Sequence, residues 1–433
     1  MLSNVIIAVY VLAWFITYRV YIKKNPKYGV GGFLILEYLL FAVLSLILYN
    51  LPSHRNEWTA ITLFPFIYLY CMLLIASVPV LQFNNDRIRS ISPPNKTVFN
   101  VFLYTFIVCS LFQIPSIISE LGEGLTLIVL DPDNAADIYN ERAQDSLTTT
   151  HNRIDGIITA PFTIFANIFG NFCVFLFFYY QTLKKKKKTI SLLLLFIILV
   201  SILRSVSQAN RTGVVLTLIM FVAAYALFYG FIEKTQRKTI NITGVVFASI
   251  IAVFMAIITI SRFSDSEGGP LDSVINYAGQ ENLNFNEYCM DAGGTREGER
   301  TCNTFKQMLG FEGVAPDVRS VREKYGNLKF SDQYFSTFVG DYVLDFGPYI
   351  TAILFIVFSI IFTKLTKVRH SQISFHQLIL VYFALEVCAK GAMYLHVFSF
   401  SDNYKIIAVI IAYLLFKFTD PKYIDIIFLW NHE

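Results

Sequence analysis

Two arginines, Arg204 and Arg211, bracket the polar turn L-R-S-V-S-Q-A-N-R-T-G between the apolar runs Thr189–Leu203 and Val214–Phe231. An arginine at membrane depth costs about 2.5 to 3.5 kcal/mol on insertion scales, so it is paired, functional or lifted to the surface. The run before Arg204 reaches only about 22 Å at 1.5 Å per residue, against a hydrocarbon core of about 30 Å. Arg204 therefore sits at or below a membrane surface. Arg262 follows Ile260-Ser261 at the end of another apolar run, and Arg319 and Arg322 lie in the polar stretch that comes next. Guanidinium groups donate two parallel hydrogen bonds and stay charged, which suits phosphate oxygens. The alternative is snorkelling, in which a long side chain carries its charge to the lipid headgroups.

The acids come as a second set. Asp341 and Asp345 in G-D-Y-V-L-D-F-G-P are four residues apart and share one face of a helix. They suit either pairing with arginines or a general base; the plain reading is an interfacial turn ended by Gly347-Pro348. Glu386 and Lys390 are spaced i,i+4, with His396 nearby, and either neutralise each other inside a bundle or serve an ion-coupled transporter. Asp131-Pro-Asp133 lacks the glycine and terminal glutamate of a calcium loop. The chain holds no Walker A, G-x-S-x-G or H-E-x-x-H pattern, and its D-F-G has no other kinase feature beside it. Asn210-Arg-Thr212 fits a glycosylation sequon but abuts an apolar run and carries no argument.

These residues need elements to hold them. The chain is 55% hydrophobic and 15% charged over 433 residues, below the roughly 25% charged of soluble proteins. It reads as one integral membrane domain, residues 1–433, all-α and polytopic. Apolar runs fall at Asn4–Ile22, Gly32–Tyr49, Trp58–Gln82, Thr97–Ile118, Ile157–Leu183, Thr189–Leu203, Thr212–Phe231, Ile242–Ile260, Phe338–Phe362, Leu378–Phe400 and Lys405–Phe418. That predicts about 11 transmembrane helices. The basic run Lys184–Lys188 belongs in the cytoplasm by the positive-inside rule, and alternation places the N-terminus outside and the C-terminus inside.

Two outer segments result. The smaller, 119–156, is rich in acids; the larger, 261–335, lies between the eighth and ninth spans and is expected to form a lid. Within it, Pro270 opens a helix over Leu271–Leu283, and Asp332–Tyr342 is a second helix with Phe335, Phe338 and Val339 on one face. Cys289 and Cys302 share this lid and are a plausible disulfide in an oxidising compartment. Cys71, Cys109, Cys173 and Cys388 lie in apolar runs and read as buried thiols. The lid is more acidic than basic, so positive charge is concentrated at headgroup depth. That placement fits a lipid-linked phosphate or pyrophosphate and excludes a nucleic-acid surface.

The A-N-R-T-G turn, the I-S-R exit at Arg262, Tyr277-Ala-Gly279 with Asn282-Leu283, and the late F-x-G-D-Y-x-x-D-F-G together resemble Wzy-type polymerases of O-antigen or capsule repeat units. The resemblance implies a GT-C-like fold in the bacterial inner membrane with its active site on the periplasmic side. It implies a glycosyltransferase that moves a growing glycan from undecaprenyl pyrophosphate onto a new lipid-linked unit. No cofactor, nucleotide sugar or metal is needed. Membrane lipid and a chain-length regulator protein are the implied partners. In this frame Arg211 and Arg262 grip pyrophosphate, Arg204, Arg319, Arg322 and Tyr277 contact substrate, and Asp341 or Asp345 takes a proton or orients an arginine. The large loops of related ligases carry a histidine that is absent from 261–335. A flippase for the same lipid-linked sugars, or an O-antigen ligase of the same fold, is the alternative.

Overall fold

A computed structural model describes residues 2–25, 29–54, 56–83, 88–115, 117–118, 160–207, 211–263, 269–331, 333–368, 371–396 and 402–420. The expected outer segment 119–156 lies outside them. The described residues are mostly helical. In a membrane every backbone N–H and C=O must be satisfied within its own segment, and the helix does this without partners.

In chain order the bundle comprises α1 (Leu2–Lys24), α2 (Val30–Tyr49), α3 (Leu63–Leu81), α4 (Lys96–Phe112), α5 (Ala160–Phe169), α6 (Phe172–Thr182), α7 (Lys188–Ser207), α8 (Arg211–Phe228) and α9 (Lys234–Phe263). The lid carries α10 (Gly269–Tyr277), α11 (Gln280–Asn284), α12 (Asn303–Met308) and α13 (Val318–Lys324), and the chain returns through α14 (Thr337–Leu365), α15 (Phe375–Lys390) and α16 (Asn403–Phe418). Among the described residues, 6 of these helices are long and apolar enough to cross a membrane: α1, α2, α3, α7, α8 and α14. The α5–α6 pair bends by 69° at Gly170-Asn171 and makes up to 7 if counted as one span. Of the other bundle helices, α4 has 17 residues, α15 and α16 have 16 each, and α9 has 30.

Burial follows the solvent expected for such helices. α1 buries Ile7, Tyr10 and Trp14 and exposes Val5, Val9, Leu12, Phe15 and Ile16 on the opposite side. A stripe of that size marks a lipid or partner surface. The interior is aromatic: Phe175 packs its ring 5.5 Å from Phe228 and 5.5 Å from Phe375, tying α6 to α8 and α15.

The loops sort to two ends. At one end β1 (Ser90–Ser92) pairs in parallel with β2 (Gln372–Ser374), Ser90 opposite Gln372. These are the segments beside Arg89 and Lys367 that the charge pattern places on a common side. At the other end the lid docks on the 51–62 connection. Trp58 Nε1 donates to Asn284 Oδ1 at 2.9 Å, and Asn286 Nδ2 donates to Thr62 O at 2.8 Å.

Two expectations about the lid are corrected. The helix opened by Pro270 does not run to Leu283; it breaks after Tyr277. At Gly279 a Cβ would stand 2.7 Å from Leu44 O, so the chain turns there to lie against α2. The second helix starts at Thr337, and Phe335 lies ahead of it.

Candidate functional site

Proline dictates the local structure around the paired acids. Pro348 has no N–H to give to the carbonyl four residues earlier, and Gly347 takes φ +75° beside it, so α14 kinks. The carbonyls released by that kink are used by the lid. Arg296 N donates to Leu344 O at 2.8 Å and Gly298 N to Asp345 O at 3.1 Å. Gly298 itself has φ +76°, and a Cβ there would meet the Phe346 ring at 2.6 Å. The lid turn at 296–301 therefore lies directly on the broken helix.

That docking brings charge with it. Arg296 Nε donates to Asp345 Oδ1 at 2.7 Å, while Thr301 N donates to Oδ2 at 2.6 Å. A second Arg296 nitrogen reaches Asp341 O at 3.1 Å and lies 3.7 Å from Asp341 Oδ1. Asp341 Oδ2 accepts from Leu395 N at 2.8 Å. Arg300 is buried nearby; burial first, then the neighbouring Arg296 charge, lowers its guanidinium to about 9. The two acids thus engage lid arginines that sequence reading did not single out. The pattern T-R-E-G-E-R carries Arg296 and Arg300. The structure gives Asp345 a clasping role in which both oxygens are engaged.

The hairpin arginines lie apart from this clasp, and an aromatic row links the two. Arg211, buried at the first turn of α8, stacks over the Tyr277 ring at 5.0 Å. Tyr277 also hydrogen-bonds Thr212 through its hydroxyl. Its ring meets Phe335 edge-on at 5.0 Å, and Phe335 stacks on Tyr394 at 5.4 Å. Tyr394 precedes Leu395, whose N–H holds Asp341. Tyr277 therefore lies against Arg211.

Arg204 and Lys390 line one cavity of about 240 Å³ between α4, α5, α6, α7, α8 and α15. Its polar lining includes Gln113, Asn167, Ser201 and Thr217, the last on the helix that Arg211 begins. Gln113 Nε2 donates to Asn167 Oδ1 at 2.9 Å, fixing one amide of the wall. Lys390 Nζ lies 2.6 Å from Glu386 Oε1, and His396 Nε2 lies 3.2 Å from the same oxygen. Glu386 and Lys390 do pair, as their spacing predicts, and Lys390 still reaches the cavity.

Several expected site residues are not brought together. Arg262 lies in the last turn of α9, and its side chain falls outside the described residues. Arg319 is 65% exposed and pairs with Glu323 at 2.9 Å on the lid surface, away from the cluster. Arg322 is half-buried within electrostatic reach of Arg300. The disulfide does not form: Cys289 and Cys302 are both free thiols. Cys289 is buried against Gly340, where a Cβ would lie 3.4 Å from its Sγ, while Cys302 Sγ faces the Thr301 hydroxyl at 3.7 Å. Burial pushes both thiols up. Among the described residues no cluster of three His, Cys, Asp or Glu could hold a metal ion. No family model matches the chain, and no curated protein or solved structure matches it either.

Proposed function

We propose that this chain is a glycosyltransferase that polymerises undecaprenyl-pyrophosphate-linked oligosaccharide repeat units for O-antigen or capsule. In this reading it crosses a bacterial inner membrane about 11 times in a GT-C-like arrangement. The lid and the Arg211 end of α8 face the periplasm. The growing glycan is the donor and a new lipid-linked unit the acceptor.

The observation that carries the reading is the placement of Arg211 on Tyr277 under a docked lid, with Arg204 and Lys390 lining a cavity in the adjoining bundle. The chemistry needs fixed positive charge at a membrane boundary. The acceptor hydroxyl oxygen bonds to the anomeric carbon as the bond from that carbon to the pyrophosphate oxygen breaks. The electron pair leaves on pyrophosphate, and preorganised cations stabilise that developing charge. The hydroxyl proton must go to a base. Asp345 spends both oxygens on the clasp, so Asp341 is the acid assigned to receive it. Tyr277, Phe335 and Tyr394 form an aromatic row of the kind on which sugar rings stack.

The deciding experiment supplies purified protein in vesicles with a lipid-linked repeat unit and resolves the products by size. A ladder of longer glycans is expected. Transfer of the unit across the vesicle wall without lengthening would replace the polymerase with a flippase, which the Glu386–Lys390–His396 cluster inside the bundle favours as the second reading.

A further inference from the structure

A separate carboxyl lies buried in the bundle. Glu37 is on α2, seven residues in from Val30, or about 10 Å along the helix at 1.5 Å per residue. It is 6% exposed, and among the described residues neither carboxylate oxygen has a hydrogen-bond partner. It lines a groove of about 290 Å³ between α2 and α8. The other lining side chains are all Leu, Ile, Val or Phe, among them Leu36, Leu40 and Phe41 of α2 and Leu218, Ile219 and Val222 of α8. Leu40 and Val222 belong to the exposed apolar surface that would face lipid.

We propose that Glu37 is a reversible proton-binding site set in a lipid-facing groove between α2 and α8. An ionised carboxylate without a hydrogen bond or counter-charge is expensive in hydrocarbon, so the resting group holds a proton. A bound sodium ion is a poorer fit. A hard cation wants several oxygen ligands, and the other side chains of the groove offer none. Its titratable neighbours among the described residues are one phenol and one thiol. Tyr38 on the same helix and Cys388 on α15 lie within electrostatic reach of it. Tyr38 Oη donates to Cys388 O at 3.1 Å and lies 3.3 Å from Ser77 Oγ of α3. On α1, the Trp14 ring packs 5.0 Å from Tyr38 and the Tyr21 phenol lies beside Gly31. α8 lines the groove with Leu218, Ile219 and Val222. The site is independent of sugar transfer, so it can stand or fall alone.

The test uses the whole protein in phosphatidylethanolamine–phosphatidylglycerol vesicles treated with dicyclohexylcarbodiimide, an apolar reagent that adds to protonated carboxyl groups. Peptide mass mapping should place the adduct on Glu37 and find none in Glu37→Gln, a near-isosteric change. Labelling should fall about tenfold per pH unit once pH exceeds the group's titration point, and sodium ions should not protect it. Absence of an adduct at every pH would overturn the site. Labelling flat with pH would make Glu37 a permanently neutral packing residue, and protection by sodium would make it a metal-cation site; either result ends the proposal. Loss of fold in Glu37→Gln leaves the wild-type pH and sodium arms to decide.

Discussion

Arg296 Nε meets Asp345 Oδ1 at 2.7 Å directly over the break that Pro348 makes in α14. Both side chains are almost fully buried, at 5% and 0% exposure. Removing one member of such a pair strands the other, at a cost of about 3 to 5 kcal/mol, whereas replacing both with apolar residues is far milder. Asp345→Asn should therefore make residues 290–331 sensitive to protease while the helices stay inserted. The Arg296→Met, Asp345→Leu double variant should recover most of the resistance. Equal sensitivity in single and double variants would show that the clasp is not what holds the lid.

Arg211 is the sharpest test of the proposed site. Arg211→Ala should abolish polymer without loss of membrane insertion, at about 2.7 to 4 kcal/mol of barrier if it acts like a preorganised oxyanion donor. Arg211→Lys keeps charge but loses the planar fork that stacks on Tyr277, so only part of the activity should return. Full product length in the lysine variant, at normal expression, would leave Arg211 as a membrane anchor, because lysine snorkels equally well.

Arg319 gives the opposite expectation. It is exposed and joined to Glu323 by a surface pair four residues on, worth about 0.3 to 0.5 kcal/mol. Arg319→Ala should change product length and thermal stability very little. A loss of polymer comparable to Arg211→Ala would bring the α13 surface into the substrate path.

The lid should loosen in acid through Glu299. Burial opposes its ionisation, but Lys324 at 2.6 Å and the Ala315 N–H at 3.2 Å more than offset this, so its carboxyl sits below the ordinary range. A depressed folded value contributes stability that is present above the unfolded value, near 4.3, and lost as pH falls through the folded one. Lys324 is raised, chiefly by its hydrogen bond to Glu299, so its share is present below its ordinary value and lost in strong alkali. Protease resistance of 290–331 should hold across neutral pH and drop below about pH 4. Glu299→Gln should weaken the lid at neutral pH and flatten that acid limb; an unchanged limb would assign it to another carboxylate.

Both lid cysteines should be found as thiols. Alkylation under native, non-reducing conditions should leave Cys289 unmodified, and alkylation after denaturation should modify Cys289 and Cys302 alike. Recovery of a bridged peptide would restore the disulfide reading, and with it about 3 kcal/mol of local stabilisation for so short a loop.

Sequence periodicity was a good guide to the bundle because a membrane helix announces itself by composition alone. Six of the 11 predicted spans stand as full-length apolar helices among the described residues, while α4, α15 and α16 are shorter and α5–α6 bends. The arginine turn stood out by its place between two apolar runs, whereas Tyr277 came only from the family resemblance. Arg296 and Arg300 did not stand out, because nothing in a polar loop tells a buried arginine from a solvated one. Their partners at Asp341 and Asp345 lie 40 or more residues away in the chain. The groove at Glu37 was equally hidden: one acid within an apolar run gives no hint of what surrounds it.

The short parallel pairing of Ser90–Ser92 with Gln372–Ser374 sets an order of events in time. The two strands are about 280 residues apart. At about 5 to 20 residues per second of synthesis, the first waits roughly 15 to 55 s for its partner. During that interval every helix from α4 to α14 is made while the loop after α3 has no strand to join. That seam is sewn near the end of translation, so a chain cut before residue 372 keeps its earlier helices but lacks the stitch that joins its first part to its last.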